Sequence, residues 1–227
     1  AASSVYNSGT ATHAGHVSIF KWYNNSFIQQ GQDLVGEFAY DEFGRSLSIN
    51  DSGDRVAVGS MQNDGNGTDA GHVRIYQWNG TSWVQLGQDI DGEAAGDKSG
   101  RSVSMNGVGD RVSIGAHQND GNGNRSGHVR IYEWNGVSWV QLGLDIDGEA
   151  LSDRSGSSVS MNLLGDRVAI GAYFNDGNGS NSGHVRIYEW AGTSWVQLGQ
   201  DLDGESGSDF SGWSVSINDS GDRVAVG

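Results

Sequence analysis

The chain contains no cysteine and no proline, and only 13 lysines and arginines stand against 28 aspartates and glutamates. Without thiols there is no disulfide framework, no thiolate metal site and no cysteine nucleophile, and the redox compartment is left open. Without proline, every turn must be built from glycine, asparagine, aspartate and serine. Glycine, at 37 residues, supplies much of that need. The net charge of -15 disfavours nucleic acid and anionic membrane surfaces as partners, because both are polyanions. Cations and basic partners suit it better. No apolar run approaches the roughly 18 residues of a membrane span, so no direct membrane insertion is expected. The N-terminal AASSVYNSGT has neither the basic nor the apolar region of a signal peptide, which leaves a cytosolic chain, a processed secreted chain or a fragment.

What is present is repetition. The tripeptide GHV begins at Gly15, Gly71, Gly127 and Gly183, a constant step of 56 residues with no insertion or deletion. The flanking sequence keeps the same register, and the copy from Gly15 is the most diverged.

Within one unit, four short runs alternate apolar or β-branched residues with polar ones and are bounded by Gly, Asn, Asp or Ser. They are RSVSMN, DRVSIGA, HVRIYEWN and SWVQLGLDI, here strands a to d. The a–b links (NGVGD, NDSGD) and c–d links (NGTS, NGVS) are of hairpin length. No segment has helical periodicity. Four antiparallel strands in a repeated unit of this size predict an all-β fold, a β-propeller of four-stranded antiparallel blades stacked face to face around an axis. Strand a is expected nearest that axis. The reading is one propeller region over residues 1–227, with units near 1–41, 42–97, 98–153, 154–209 and 210–227. Tyr76, Trp78 and Trp83, with Tyr132, Trp134, Trp139, Tyr188, Trp190 and Trp195, are expected to pack between blades, since both faces of a blade must be buried.

SGRSVS, then DRVAIGA, then SGHVRIYEW resembles the FG-GAP repeat of integrin α-subunit propellers and their relatives, with its pattern of FGxSV, DLLVGAP and GxVYVY. The first copy keeps Phe43-Gly44, and the order of motifs matches along essentially the whole chain. Two departures stand out. The family's proline after GA is missing, with Ser60, His117 and Tyr173 near that place. The integrin calcium loop between strands a and b is here only NGVGD, NLLGD or NDSGD, too short to surround an ion taking six to eight oxygens.

The acids instead crowd the links from strand d to the next strand a. Asp89, Asp91, Glu93 and Asp97 recur as Asp145, Asp147, Glu149, Asp153 and as Asp201, Asp203, Glu205, Asp209, together 12 of the 28 acids. The first copy keeps Asp33, Glu37 and Asp41 but has Val35. Strand alternation brings these links out on the same face as the b–c links with their NDGNG at 63–67, 119–123 and 175–179. Asp89 and Asp91 would share one side of an extended segment, Gly92 would turn it and Asp97 would close it, a set that suits calcium as a possible cofactor. The same acids would equally cap turns, pair with Arg101 or Arg111, or face water. NDGNG itself supplies residues tolerant of positive φ to a tight connection. A catalytic use, as in glycoside hydrolysis, needs two carboxylates of different pKa in one pocket, whereas these acids repeat alike in every unit. No enzymatic activity is expected.

The repeated His16, His72, His128 and His184 open strand c, one per blade. Residues related by the propeller axis do not converge there, so packing or hydrogen bonding is their expected role. Arg74, Arg130 and Arg186 alternate in phase with Tyr and Trp, which predicts stacking between blades. Asn24, Asn50, Asn66, Asn79, Asn124, Asn178 and Asn218 head Asn-x-Ser/Thr sequons, which would carry glycans in a eukaryotic secreted chain.

Residues 225–227 stand in the same repeat phase as residues 1–3, inside strand b. Either the ends complete one blade together or the chain is a stretch of a longer array, and the latter is expected. The resemblance implies an extracellular or cell-surface module for adhesion, protein interaction or structural repetition, with protein or glycan partners or self-assembly. A carbohydrate-binding propeller and, more remotely, a propeller-fold hydrolase are the alternatives.

Overall fold

The computed structural model describes residues 1–7 and 11–227. Among them every regular element is a strand, and none is helical. Three complete blades repeat one topology. Strands a, b and c are Ser46–Ile49, Arg55–Ser60 and His72–Trp78 in the first; Ser99–Met105, Arg111–Ala116 and His128–Trp134 in the second; Ser158–Met161, Arg167–Ala172 and His184–Trp190 in the third. Each pairs antiparallel with the next in the order a-b-c-d.

Strand d departs from the single run expected over 138–146. It is two pieces, Trp139–Gln141 and Ile146–Asp147, both paired with strand c. The register shifts between them, from Tyr132 opposite Gln141 to Val129 opposite Ile146. The intervening bulge re-aims the chain. Its glycine is set by the following blade, since a Cβ on Gly143 would lie 2.9 Å from the ring of Trp190.

Neighbouring blades meet chiefly through strands a, Ser46–Ile49 against Ser99–Met105 and that strand against Ser158–Met161, which places strand a on the inner edge of the stack. The core lies between blades. Ala57, Val73, Ile75 and Ile90 of one pack against Val103, Met105, Val112, Ile114, Tyr132 and Trp139 of the next. At the inner edge the backbones nearly touch, for a Cβ on Gly115 would meet the Gly156 carbonyl at 2.0 Å. Ser46, Ser102 and Ser158 each donate from Oγ to the carbonyl of Gly100, Gly156 or Gly212 in the following blade, at 2.7–2.8 Å.

Of the expected interblade aromatics, Trp83, Trp139, Tyr76, Tyr132 and Tyr188 are buried, whereas Trp78 and Trp134 are only partly so. The a–b hairpins are closed by their own asparagine: Asn106 Oδ1 accepts from Gly109 N and Arg111 N, and its Nδ2 donates to Asp110. At the ends, strand b of an incomplete blade (Ala2–Ser4) pairs with His16–Ser18, and Val215–Ile217 pairs with Val224–Val226. These two end sheets are separate.

Candidate functional site

One face of the stack carries both the d–a and the b–c links, and they bond to each other: Asn66 Nδ2 donates to Gly92 O at 2.8 Å, repeated by Asn122 to Gly148 and Asn178 to Gly204. The structure places the four acids of each d–a link in different environments.

Asp89 turns into its own blade. Arg74 grips it with two hydrogen bonds, Nε at 3.0 Å and Nη2 at 2.7 Å, and Gln85 adds a third. Burial opposes the Asp89 charge, but the Arg74 hydrogen bonds outweigh it and hold the carboxyl below its ordinary range. Asp91 is exposed, and burial of its surroundings and repulsion from Asp89 push it up. Glu93 crosses to the next blade, where it lies 3.6 Å from Arg130 and 3.9 Å from His128. Asp97 belongs to neither group: it is buried, caps its own turn through Ala94 N at 2.9 Å and accepts from Asn119 Nδ2 at 3.1 Å.

The same division holds along the chain. Asp145 sits 3.5 Å from His128, Glu149 lies 3.4 Å from Arg186, and Asp153 caps Ala150 N. Asp201 faces His184 at 3.7 Å, Asp203 also reaches that imidazole at 3.9 Å, Asp209 caps Ser206 N, and Glu205 is exposed. In the first copy Glu37 bonds Arg74 at 2.5 Å and Asp41 caps Phe38 N. The arginines that meet the d–a acids are thus those of strand c. Arg111 pairs with Glu133 instead. Arg130 and Arg186 also lie 5.6 Å from the ring centroids of Tyr132 and Tyr188, each on the arginine's own strand c rather than on a neighbouring blade as expected from the sequence.

His72, His128 and His184 are buried, with Nδ1 toward these carboxylates and Nε2 lacking a hydrogen-bond partner. Burial, then the neighbouring arginine, pulls His72 and His128 down to about 4, so each imidazole is neutral at pH 7. Three groups therefore gather one imidazole with two carboxylates: His72 with Asp89 and Asp91, His128 with Glu93 and Asp145, His184 with Glu149 and Asp201. A guanidinium adjoins each one. The integrin-type calcium loop has no counterpart in the a–b link, where Asp54 Oδ1 is taken up by Ser52 Oγ at 2.6 Å and Asn50 Nδ2 at 2.8 Å.

Of the sequon asparagines, Asn24, Asn66, Asn79, Asn124 and Asn178 are exposed. Asn50 is buried, with its Nδ2 bonded to Ser52, Asp54 and Val108, and Asn218 Nδ2 bonds Ser220 and Asp222.

A second group on this face was missed by a reading that looked for what repeats. At the inner ends of strands a and b, equivalent positions vary between blades, Arg45 and Arg101 being the one pair that agrees. They hold Glu42, Lys98, Arg154 and Phe210; Arg45, Arg101, Ser157 and Trp213; and Met61, His117 and Tyr173. The first four all have φ of 54–56°, the left-handed region that glycine adopts without strain, yet none is glycine. The signal that could have found them is departure from the repeat.

The FG-GAP repeat family matches residues 37–76 and 145–188. A search of curated proteins returns no match. Among solved structures the chain is similar to a candidate 6-phosphogluconolactonase from Bacteroides uniformis, with TM-score 0.57 and 12% identity over 95% of this chain and 52% of that one. It is also similar to Kuenenia stuttgartiensis hydrazine synthase, with TM-score 0.56 and 14% identity over 92% of this chain and 49% of that one. The chain thus spans about half the length of these structures, and at such identities the likeness is one of fold alone. The chain thus carries FG-GAP repeat matches at two places, and its repeated four-stranded antiparallel sheets fold as the blades of a β-propeller.

Proposed function

We propose that the chain is a non-catalytic recognition module of an extracellular or cell-surface protein, binding protein or glycan partners through the face that carries the d–a and b–c links. The observation behind this reading is the contrast just described. The blades repeat their cores and hydrogen bonds almost residue for residue, while the inner positions on one face change from blade to blade. A regular scaffold needs identical residues at identical places, whereas a site for an asymmetric partner needs different ones. The acids of the outer part of that face serve, on this reading, as ties between blades. Calcium or another divalent ion at the three histidine–carboxylate groups is the alternative use of the same residues. Extracellular placement rests on the FG-GAP resemblance, and in a secreted eukaryotic chain the exposed Asn24, Asn66, Asn79, Asn124 and Asn178 would carry glycans.

Glycan recognition is favoured as a second reading by Trp213, 61% exposed and 4.7 Å from the ring of Tyr173. The test is binding of the purified chain to a glycan array and to cell-surface protein fractions. Wild type should give discrete hits that are lost in a Lys98→Ala/Trp213→Ala variant but kept when the opposite face is altered at Val137 and Leu164. Equal loss from both variants, or none from either, would overturn the assignment of the face.

A further inference from the structure

In a chain of net charge -15, the cations are not spread evenly. Four of the 13 lysines and arginines, Arg45, Lys98, Arg101 and Arg154, converge on the inner end of the binding face from three successive blades, around the buried imidazole of His117. Burial and the repulsion of Arg101, Arg154, Lys98 and Arg45 pull His117 down to about 3. Arg101 is itself lowered by burial and by Arg45. The strand-c arginines of this face are matched with carboxylates, as Arg74 is with Asp89 and Glu37. Arg45 and Arg101, by contrast, form no side-chain hydrogen bond or ion pair among the described residues. Two acids reach this group: Asp69 lies 3.8 Å from Lys98 Nζ, and Glu42 is buried with its Oε2 lacking a hydrogen-bond partner; His117 Nδ1 is buried and unpartnered as well.

Beside the cations stands an aromatic wall. Tyr173 lies 4.7 Å from Trp213 and 4.5 Å from Phe174, and Phe174 lies 5.6 Å from Phe210. Arg154 is fixed against it, its Nη1 donating to Tyr173 Oη at 3.1 Å and its Cζ 4.4 Å from the Phe174 centroid. Guanidinium groups held at an aromatic surface, with their own charges unmatched, suit a planar or tetrahedral oxyanion, and binding one relieves their mutual repulsion. Glycine would fit the left-handed backbone at Lys98, Arg154 and Phe210 with less strain, so the chain tolerates that strain to place a cation or a ring there.

Resting on the reading of this face as a binding surface, we propose that its inner end is a site for a small organic phosphate or carboxylate, the oxyanion held by Arg101, Arg154 and Lys98 and a flat apolar part lying on Trp213 and Tyr173.

The test is calorimetry and thermal shift with phenyl phosphate, inorganic phosphate and phenol at matched ionic strength. Phenyl phosphate should bind at least about tenfold more tightly than inorganic phosphate, and phenol should not bind. Arg101→Gln and Arg154→Gln should each weaken phenyl phosphate by about tenfold or more, and Trp213→Ala should remove its advantage over inorganic phosphate. Arg223→Gln, on the opposite face, should change nothing. Because the Arg101 side chain forms no hydrogen bond or ion pair among the described residues, Arg101→Gln should melt no lower than wild type, which separates lost binding from lost folding. Equal binding by wild type and Arg101→Gln, or no phenyl phosphate binding while array hits persist, would overturn the anion site and leave the recognition reading in place. Release of phenol from bound phenyl phosphate would keep the site and overturn the non-catalytic reading.

Discussion

The indole Nε1 of Trp139 donates to the carbonyl of Leu86 in the preceding blade at 2.8 Å, and the bond recurs from Trp83 to Gln30 and from Trp195 to Leu142. Trp139 is 3% exposed, so it supplies both apolar area and the partner of a bulge carbonyl. Trp139→Ala should cost about 3 to 5 kcal/mol, and Trp139→Phe about 1 to 2 kcal/mol for the stranded carbonyl. Trp134, only partly buried, should cost less than Trp139 on replacement by alanine. Urea denaturation of the three variants checks the order.

The inner edge depends on backbone approach more than on side chains. Gly115 has an ordinary negative φ, yet its added Cβ would meet the Gly156 carbonyl at 2.0 Å, so Gly115→Ala should cost about 2 to 4 kcal/mol by forcing two blades apart. Gly136, in a c–d turn with φ of +96°, has open space around it, and Gly136→Ala should cost about 1 kcal/mol from backbone strain alone. Thermal melts in which Gly136→Ala proved the worse of the two would contradict this account of the edge.

Acid should loosen the fold before it protonates most carboxylates. His72 and His128 are held near 4, His117 near 3, and His184 is lowered as well, against an ordinary value near 6.5. Between those limits the unfolded chain binds more protons than the folded one, so stability falls as pH drops from about 6.5 toward 4, by roughly 1 to 3 kcal/mol per histidine. Asp91, Asp147 and Glu93, raised by burial, act with the opposite sign in the carboxylate range and soften the fall at its lower end. Asp89, held low chiefly by Arg74 against its burial, adds a further loss below about pH 4. His117→Gln should flatten the slope measured by denaturation between pH 6.5 and 4.5, and an unchanged slope would remove His117 from this account.

If the d–a acids are ties between blades, their charges are already answered by Arg74, Arg130 and Arg186. Calcium, magnesium and sodium at matched ionic strength should then give the same melting curve, with screening as the common cause. A calcium increment that survives the match and vanishes with chelator would show an ion at the histidine–carboxylate groups. It should persist in part in Asp145→Asn, which leaves the groups at His72 and His184 intact.

The blades were legible in the sequence because period-two alternation and glycine-bounded turns are local signals, and a constant register multiplied them. The break in strand d was not, since 138–146 alternates without interruption and the bulge answers to Trp190 and Trp195 of the following blade, which pack on Gly143. The d–a acids stood out by number, but their separation into Asp89, Glu93 and Asp97 environments depends on which blade each side chain reaches, a tertiary matter. The cluster around His117 was hidden for a different reason: its members lie far apart in sequence, and repetition draws the eye away from positions that vary.

The inner-edge bonds between blades repeat the same donors and acceptors at the same spacing, as Ser46 to Gly100 is copied by Ser102 to Gly156 and Ser158 to Gly212. Any blade can therefore follow any other without a mismatched surface. In a gene encoding such a chain, unequal crossing-over between copies adds or deletes whole 56-residue units in frame. Each product keeps the repeated scaffold contacts and receives a new combination of inner-edge residues, so that the surface proposed for recognition is reshuffled by recombination rather than by stepwise substitution.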